Sequence, residues 1–545
     1  MVTKESLINK IKLLSLLIEF FLSMKIVACN EPVLNCVPCT INSNTLMRID
    51  QAHFGGPVRS VAWLSDNSLR GPHKNQFVAV GGYACQCNDL CIYKISNKET
   101  FEKVVKVNLG SFILSLAWCV INHVPYLAVA GSSFETGDNI QIYRFDIWPK
   151  PKLTLVDSYK NHADVYAVSW LCAPCQNNTC KRYLAIGGNP SRRDQADIRV
   201  LLFDAESDDD ALTETSHKVH GAPVYSLDWV VQDNGCPLLA VGGRSSRLEC
   251  NDINVRIFSF DCTHGYLSPV TYQVHNAPVV NAVKWLSQPG KGLYLAAGGA
   301  RSTEDNVNIR MYMFNSSNNT LIDLADVANN PLQQIFSVDW YTYGADKYIT
   351  AGGGCESKGA ECVPNIFIYK DVIVNGSHVL QPVTEEKFDE NITSLNWNKT
   401  DGFGCAYLIA GTERDRAACG ANECPDSSKD VVLYKAKLGS NGPVPTPCEP
   451  VPEPGPRPCS PCNPSCEPCC PPVDSEFGDD SWNVPCSSSD FIRVSSRTFK
   501  GKTQAKKDPY NELGYASGKK RSKFSKQYQE DKPAGDLLID PNLLV

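Results

Sequence analysis

Val58-Arg59-Ser60-Val61-Ala62-Trp63, Phe77-Val78-Ala79-Val80-Gly81-Gly82 and Asp89-Leu90-Cys91-Ile92-Tyr93 form one phrase that returns seven times along the chain. Its tryptophans are Trp63, Trp118, Trp170, Trp229, Trp285, Trp340 and Trp397, spaced 52 to 59 residues apart. The glycine pair recurs as Gly187-Gly188, Gly242-Gly243, Gly298-Gly299 and Gly352-Gly353. Each run has only four to six residues, is rich in β-branched and aromatic side chains and is bounded by turn formers, which predicts strands rather than helices. A further run such as Val104-Val105-Lys106-Val107 gives four strands per unit. Sheets apolar on both faces must be covered on both, and stacking like sheets around an axis does this while leaving short edges.

The seventh unit supplies strands at Ile392–Trp397, Tyr407–Gly411 and Val431–Lys435, then runs into proline. A spare segment, Thr45-Leu46-Met47-Arg48-Ile49-Asp50, precedes the first unit. Pairing the spare strand beside Val431–Lys435 closes the ring. The expected fold is therefore all-β: a seven-bladed β-propeller of four-stranded antiparallel blades, its last blade completed by the N-terminal strand.

The phrase resembles the WD40-repeat family over about residues 45–438. His53, His162, His220 and His275 precede their tryptophans by eight to ten residues, where that family places an inter-blade histidine. Ile198-Arg199-Val200, Val255-Arg256-Ile257 and Ile309-Arg310-Met311 are similar to its third-strand segment. The family's Trp-Asp pair is missing. Its Trp position holds Tyr93, Tyr143, Leu201, Phe258, Tyr312, Tyr369 and Tyr434, so the indole-based network of the family cannot form in its usual way. Units of this length also exceed the usual repeat.

At 545 residues and 43% hydrophobic content, one large β domain with tails is reasonable. A net charge of −7 gives no general reason to expect specific nucleic-acid binding. Residues 1–28 read as a secretory signal: lysines, then Leu13-Leu14-Ser15-Leu16-Leu17-Ile18, with Ala28 at a possible cleavage site. Ile26-Val27-Ala28-Cys29 also resembles a lipobox, which would make Cys29 a lipid anchor. The alternative is a retained apolar segment on a cytoplasmic protein. No transmembrane span is expected in the mature chain. Twenty-five cysteines favour an extracytoplasmic, disulfide-stabilised protein. Loop-internal pairs are the natural candidates: Cys355 with Cys362, Cys419 with Cys424, and Cys172, Cys175 and Cys180 among themselves. A bond between Cys36 or Cys39 and Cys448 or Cys459 would lock the ring, because these segments flank its closure.

Four Cys-x-Pro-Cys units lack the βαβ context of a redox motif. Cys459, Cys462, Cys466 and Cys469 offer four thiolates, but only three residues separate the pairs, so zinc is the alternative to disulfides there, favoured if the chain is cytosolic. No cofactor is otherwise expected. Residues 29–44 form a cysteine-containing linker and 439–474 a Pro/Cys-rich, semi-rigid spacer. Residues 475–545 have a disordered, basic composition that suits an anionic partner or simple solvation.

Each unit has an Asx before its third strand: Asp89, Asn139, Asp197, Asn254, Asn308, Asn365 and Asp430. An Asx turn closing the hairpin is the expected role. The loops ahead of them carry Arg192, Arg193, Arg244, Arg247, Arg301, Arg414 and Arg416, interspersed with Asp194, Glu249, Glu304, Asp305, Glu413 and Asp415. Long loops on a rigid scaffold are where binding resides, and arginine gives bidentate recognition of anions; pairing of those acids with the same arginines is the plain alternative. Linear signatures of hydrolases, metalloproteases and phosphate-binding loops are absent from the sequence. The expected function is a non-catalytic interaction scaffold that meets a protein partner at this arginine-bearing rim. The alternative is an extracytoplasmic enzyme or carbohydrate-binding propeller with a central funnel site.

Overall fold

The structure is a computed structural model. It describes residues 44–438 except 65–75, 84–88, 173–180, 192–193, 208–210, 247–252, 274, 276, 303–304, 329, 355–363, 399–405 and 414–429. Seven four-stranded antiparallel sheets follow one another as blades of a β-propeller. Blade 1 spans Val58–Trp63, Phe77–Gly82, Leu90–Ile95 and Phe101–Val107, and the next five repeat this meander. The seventh takes its outer strand from Thr45–Ala52, which runs antiparallel to Val431–Lys437 from Thr45↔Lys437 to Ala52↔Val431. Ring closure by the N-terminal strand is thus as the sequence predicts.

The middle strands are buried on both faces. Val78, Ala79 and Val80 are wholly inaccessible, as are Leu239, Ala240 and Val241. Apolar clusters straddle neighbouring blades: one joins Val78 and Cys91 of blade 1 to Ile409 and Leu433 of blade 7, so the last interface of the ring is packed like the others. The glycine pairs exist because of these close approaches. A Cβ on Gly81 would lie 2.5 Å from Ile113 Cγ2 of the next blade, and one on Gly82 would lie 2.0 Å from the Pro57 carbonyl oxygen.

The tryptophans do more than pack. The indole N–H of Trp118, Trp170 and Trp229 donates to the Ala62, Ala117 and Ser169 carbonyls of the preceding blade, each at 3.1 Å, and Trp340 does the same to Lys284 at 2.8 Å. Serines three residues before the tryptophan add a second tie. The Oγ atoms of Ser60, Ser115, Ser226, Ser337 and Ser394 accept the backbone N–H of Leu116, Val168, Val283, Leu395 and Val61 on the following blade.

The antiparallel meander places the connections between first and second strands, and between third and fourth, at one end of the ring, here the turn face. The remaining connections lie at the other end, the loop face.

Candidate interaction site at the channel mouth

The seven first strands line a central channel of about 390 Å³. Each carries one β-bulge against its second strand, always at the residue four before the tryptophan. A bulge re-aims the side chain of the extra residue. Repeated sevenfold, it sets Arg59, Leu114, Tyr166, Tyr225, Asn281, Phe336 and Thr393 around the channel at its loop-face mouth. One arc is aromatic. Tyr166 and Tyr225 have ring centroids 5.4 Å apart. Tyr166 is held by Asn189, whose Nδ2 donates to its hydroxyl at 2.7 Å. Burial raises the Tyr225 phenol above its usual range, while the Arg244 charge opposes that shift.

Sequence reasoning missed this ring. Its signal was present, however: the position is Arg, Leu, Tyr, Tyr, Asn, Phe and Thr in successive units, while its neighbours are Val or Ile before it and Ser or Ala after it.

Deeper in the channel, positions just before the tryptophans hold a charged arc. Lys284 Nζ pairs with Asp228 Oδ1 at 2.6 Å, and Asp339 accepts from Asn396 Nδ2 at 3.1 Å. The carboxylates are occupied further: Asp228 Oδ2 accepts the Trp285 N–H and Asp339 Oδ2 the Trp397 N–H, both at 2.8 Å. Burial would lower the Lys284 ammonium, but Asp228 and then Asp339 outweigh it and raise it. The arc is therefore a fixed inter-blade ion network.

Of the seven loop arginines, Arg192, Arg193, Arg247, Arg414 and Arg416 lie outside the described residues. Arg244 is exposed on the loop face. Arg301 is turned inward, its Nη2 donating to the Asn330 and Leu332 carbonyls at 2.5 and 2.9 Å. Described loop acids pair with scaffold arginines instead. Asp194 and Glu214 clamp Arg199 at 2.6 and 2.8 Å, Asp305 and Asp323 clamp Arg310 in the same way, and Glu413 grips Arg59 through two bonds of 2.5 and 3.1 Å.

The Asx residues are buried, but their bonds differ from hairpin closure. Asp89 Oδ2 accepts the N–H of Leu109 and Gly110, and Asp197 those of His220 and Gly221, each on the loop leading to the next blade. Asn139, Asn254 and Asn365 take Asn161, His275 and Phe388 likewise, whereas Asn308 donates to Leu332. The reason is reach: the connection to the next blade crosses directly over the third strand's start.

This geometry also sorts the histidines. His220 and His275 fill the inter-blade position and are wholly inaccessible. Asn161 fills it between blades 2 and 3, displacing His162 to the exterior, and Phe54 fills it at the closure, with His53 one residue early. Burial, then the Arg256 charge, pushes the His220 imidazole down to about 4; burial and Arg310 push His275 down to about 3. Tyrosines in the third strands, and the loop residues beside them, tie the same loops. Tyr93 donates to the His53 carbonyl at 2.9 Å, Tyr312 lies 3.4 Å from His275 Nδ1, and Asn330 donates to Tyr369 at 2.7 Å.

Cys172 sits beside Cys119 of the preceding blade, with Cα atoms 5.8 Å apart, a spacing that a disulfide can bridge. Cys175, Cys180, Cys355, Cys362, Cys419 and Cys424 lie outside the described residues, as do the ring-closure pairs, Cys29 and the tail cysteines Cys459, Cys462, Cys466 and Cys469. Among the described residues, no group of three or more His, Cys, Asp or Glu side chains is placed to hold a metal, and no helix is long and apolar enough to cross a membrane.

The fold defines the class of the molecule, a closed seven-bladed propeller with a bulge-ringed mouth. No protein-family model matches the chain, and no curated protein matches it. Among solved structures it is similar to that of U3-55K, at 12% identity, with 72% of this chain and 98% of that one covered and a TM-score of 0.44. That likeness adds nothing to what the blades themselves show.

Proposed function

We propose that the chain is a non-catalytic, WD40-like interaction scaffold that receives a protein partner at the loop-face mouth, with Tyr166, Tyr225 and Phe336 as anchors and Arg244 at the rim. The observation that carries this reading is the sevenfold bulge. It spends the one irregular position of every inner strand on presenting a different side chain to the same opening. Aromatic side chains and arginine are the residue types that dominate protein–protein hot spots. The inward turn of Arg301 and the capture of loop acids by Arg59, Arg199 and Arg310 support a role for those loops as struts, with recognition shifted toward the channel axis. Export and disulfide stabilisation belong to the same reading, supported by the cysteine content and by the placement of Cys119 beside Cys172.

A photo-crosslinking amino acid placed at Tyr225 or Phe336, and at Ile322 on an outer strand as control, tests it in the native host. Discrete protein adducts from the first two positions alone are expected. Adducts equal at all three positions, or none at the mouth, would sink the proposal. Glycan capture at the mouth would favour the carbohydrate-binding alternative.

A further inference from the structure

Among the described residues, the most exposed apolar side chains lie in turns of blades 6 and 2 on the turn face. The Ile366–Val374/Ser377–Glu386 hairpin of blade 6 closes through Asn375 and Gly376, both at positive φ. Its third strand has nine residues against six in blade 1, which carries the tip about 10 Å further out at roughly 3.4 Å per residue. The tip leaves Ile373 68%, Val374 50% and Val379 42% exposed. In blade 2 the equivalent turn presents Trp148, 74% exposed. The corresponding turns of blades 4 and 5 are polar, with Thr263 and His264 in one and Ser316, Ser317 and Asn318 in the other.

Exposed lysines also gather on this arc. Lys98 in the blade 1 turn, and Lys150 and Lys152 beside Trp148, are exposed, and no described ion pair uses them. Three acids nearby are already engaged, Glu99 with Lys435, Asp146 with Arg144, and Asp371 with Lys347 and His378, while Glu102 is exposed. Blades 6, 7, 1 and 2 are consecutive around the ring. At their centre, Thr45 pairs with Lys437, so the two ends of the described chain lie together on this arc.

We propose that this arc rests on an anionic lipid surface. Trp148 and the Ile373–Val374 tip enter the interface, and Lys98, Lys150 and Lys152 meet the headgroups. Tryptophan suits that depth because its ring is apolar and its N–H polar. An aliphatic tip, an exposed tryptophan and unpaired lysines on one face combine the two contributions that hold a peripheral protein on a bilayer. The loop-face mouth then points away from the bilayer.

The full chain, mixed with vesicles of phosphatidylcholine alone or with phosphatidylglycerol, provides the test. Trp148 emission is isolated as the difference between the wild type and Trp148→Phe. It should shift to the blue and be quenched by lipids brominated on their acyl chains. Lys150→Gln and Lys152→Gln should each weaken binding to the anionic vesicles about fivefold, and Ile373→Ser with Val374→Ser should weaken it on both compositions. Vesicle binding with Trp148 unshifted and unquenched would overturn the proposal, because attachment would then run through another part of the chain. An absence of binding to either composition would overturn it as well.

Discussion

Asp430 Oδ2 accepts the backbone N–H of Phe54 at 3.0 Å, although 376 residues separate the two in the chain. The same oxygen takes the Gly55 N–H at 2.9 Å. Blade 7 therefore holds the loop into blade 1 with the bond that Asp89 uses between blades 1 and 2, and the ring closes by its ordinary joint. Asp430→Ala strands two buried donors and should cost about 1–3 kcal/mol. Urea unfolding or limited proteolysis would read this, and Asp430→Asn, which keeps an acceptor, should recover most of the loss. Equal stability of all three proteins would show that the joint contributes nothing.

His220 and His275 make the propeller acid-sensitive. Their folded values lie near 4 and 3, against an unfolded value of 6.5. Between pH 6.5 and about 4 the unfolded chain binds protons that the folded chain refuses, so each histidine removes up to about 1.4 kcal/mol of stability per pH unit as pH falls. Asp197 acts in the opposite sense, since burial pushes its folded carboxyl up to about 7 and favours the folded state as pH falls from 7 toward 4. His220→Asn imitates the natural occupant Asn161 and should flatten the pH dependence of melting by one proton's slope. An unchanged slope would refute the assignment.

Lys284 is flanked by Asp228 and Asp339, and its side chain is 29% exposed to the channel. Lys284→Met leaves the buried Asp228 carboxylate without its cation and removes the positive charge near Asp339. Allowing for water in the channel, the cost should be about 1–3 kcal/mol. Adding Asp228→Asn should restore much of it. A double-mutant cycle with no coupling between positions 228 and 284 would contradict the network.

Cys119 and Cys172 predict a cross-linked peptide pair between blades 2 and 3 in a non-reducing digest. Cys119→Ser should remove that species and lower the melting temperature. Recovery of Cys172 joined to Cys175 or Cys180 instead would restore the loop-internal arrangement.

Much of the fold was legible because strands of this kind are encoded locally. Alternating apolar runs, glycines at close approaches and a count of one missing and one spare strand are all linear features. The inter-blade joints were legible only in part. Seven Asx residues and four histidines stood out by type, yet a shift of one residue decides whether His220 is buried or His162 exposed. Arg301 could not be told from Arg244, since both read as loop arginines; the nearness of the Asn330 and Leu332 carbonyls makes one a strut.

By itself the sequence determined the strand order and the number of blades, because both follow from patterning within one repeat, and it marked the closing strand by leaving one strand spare before the first repeat and one missing from the last. Tertiary structure alone decided what faces the channel mouth. The register slip at Arg59, Tyr166, Tyr225 or Phe336 arises from pairing with the neighbouring strand, and it re-aims side chains that otherwise look like any alternating strand position. It also joined Asp430 to Phe54 and set Cys119 beside Cys172, contacts that exist only once rotation about a common axis brings one blade against the next.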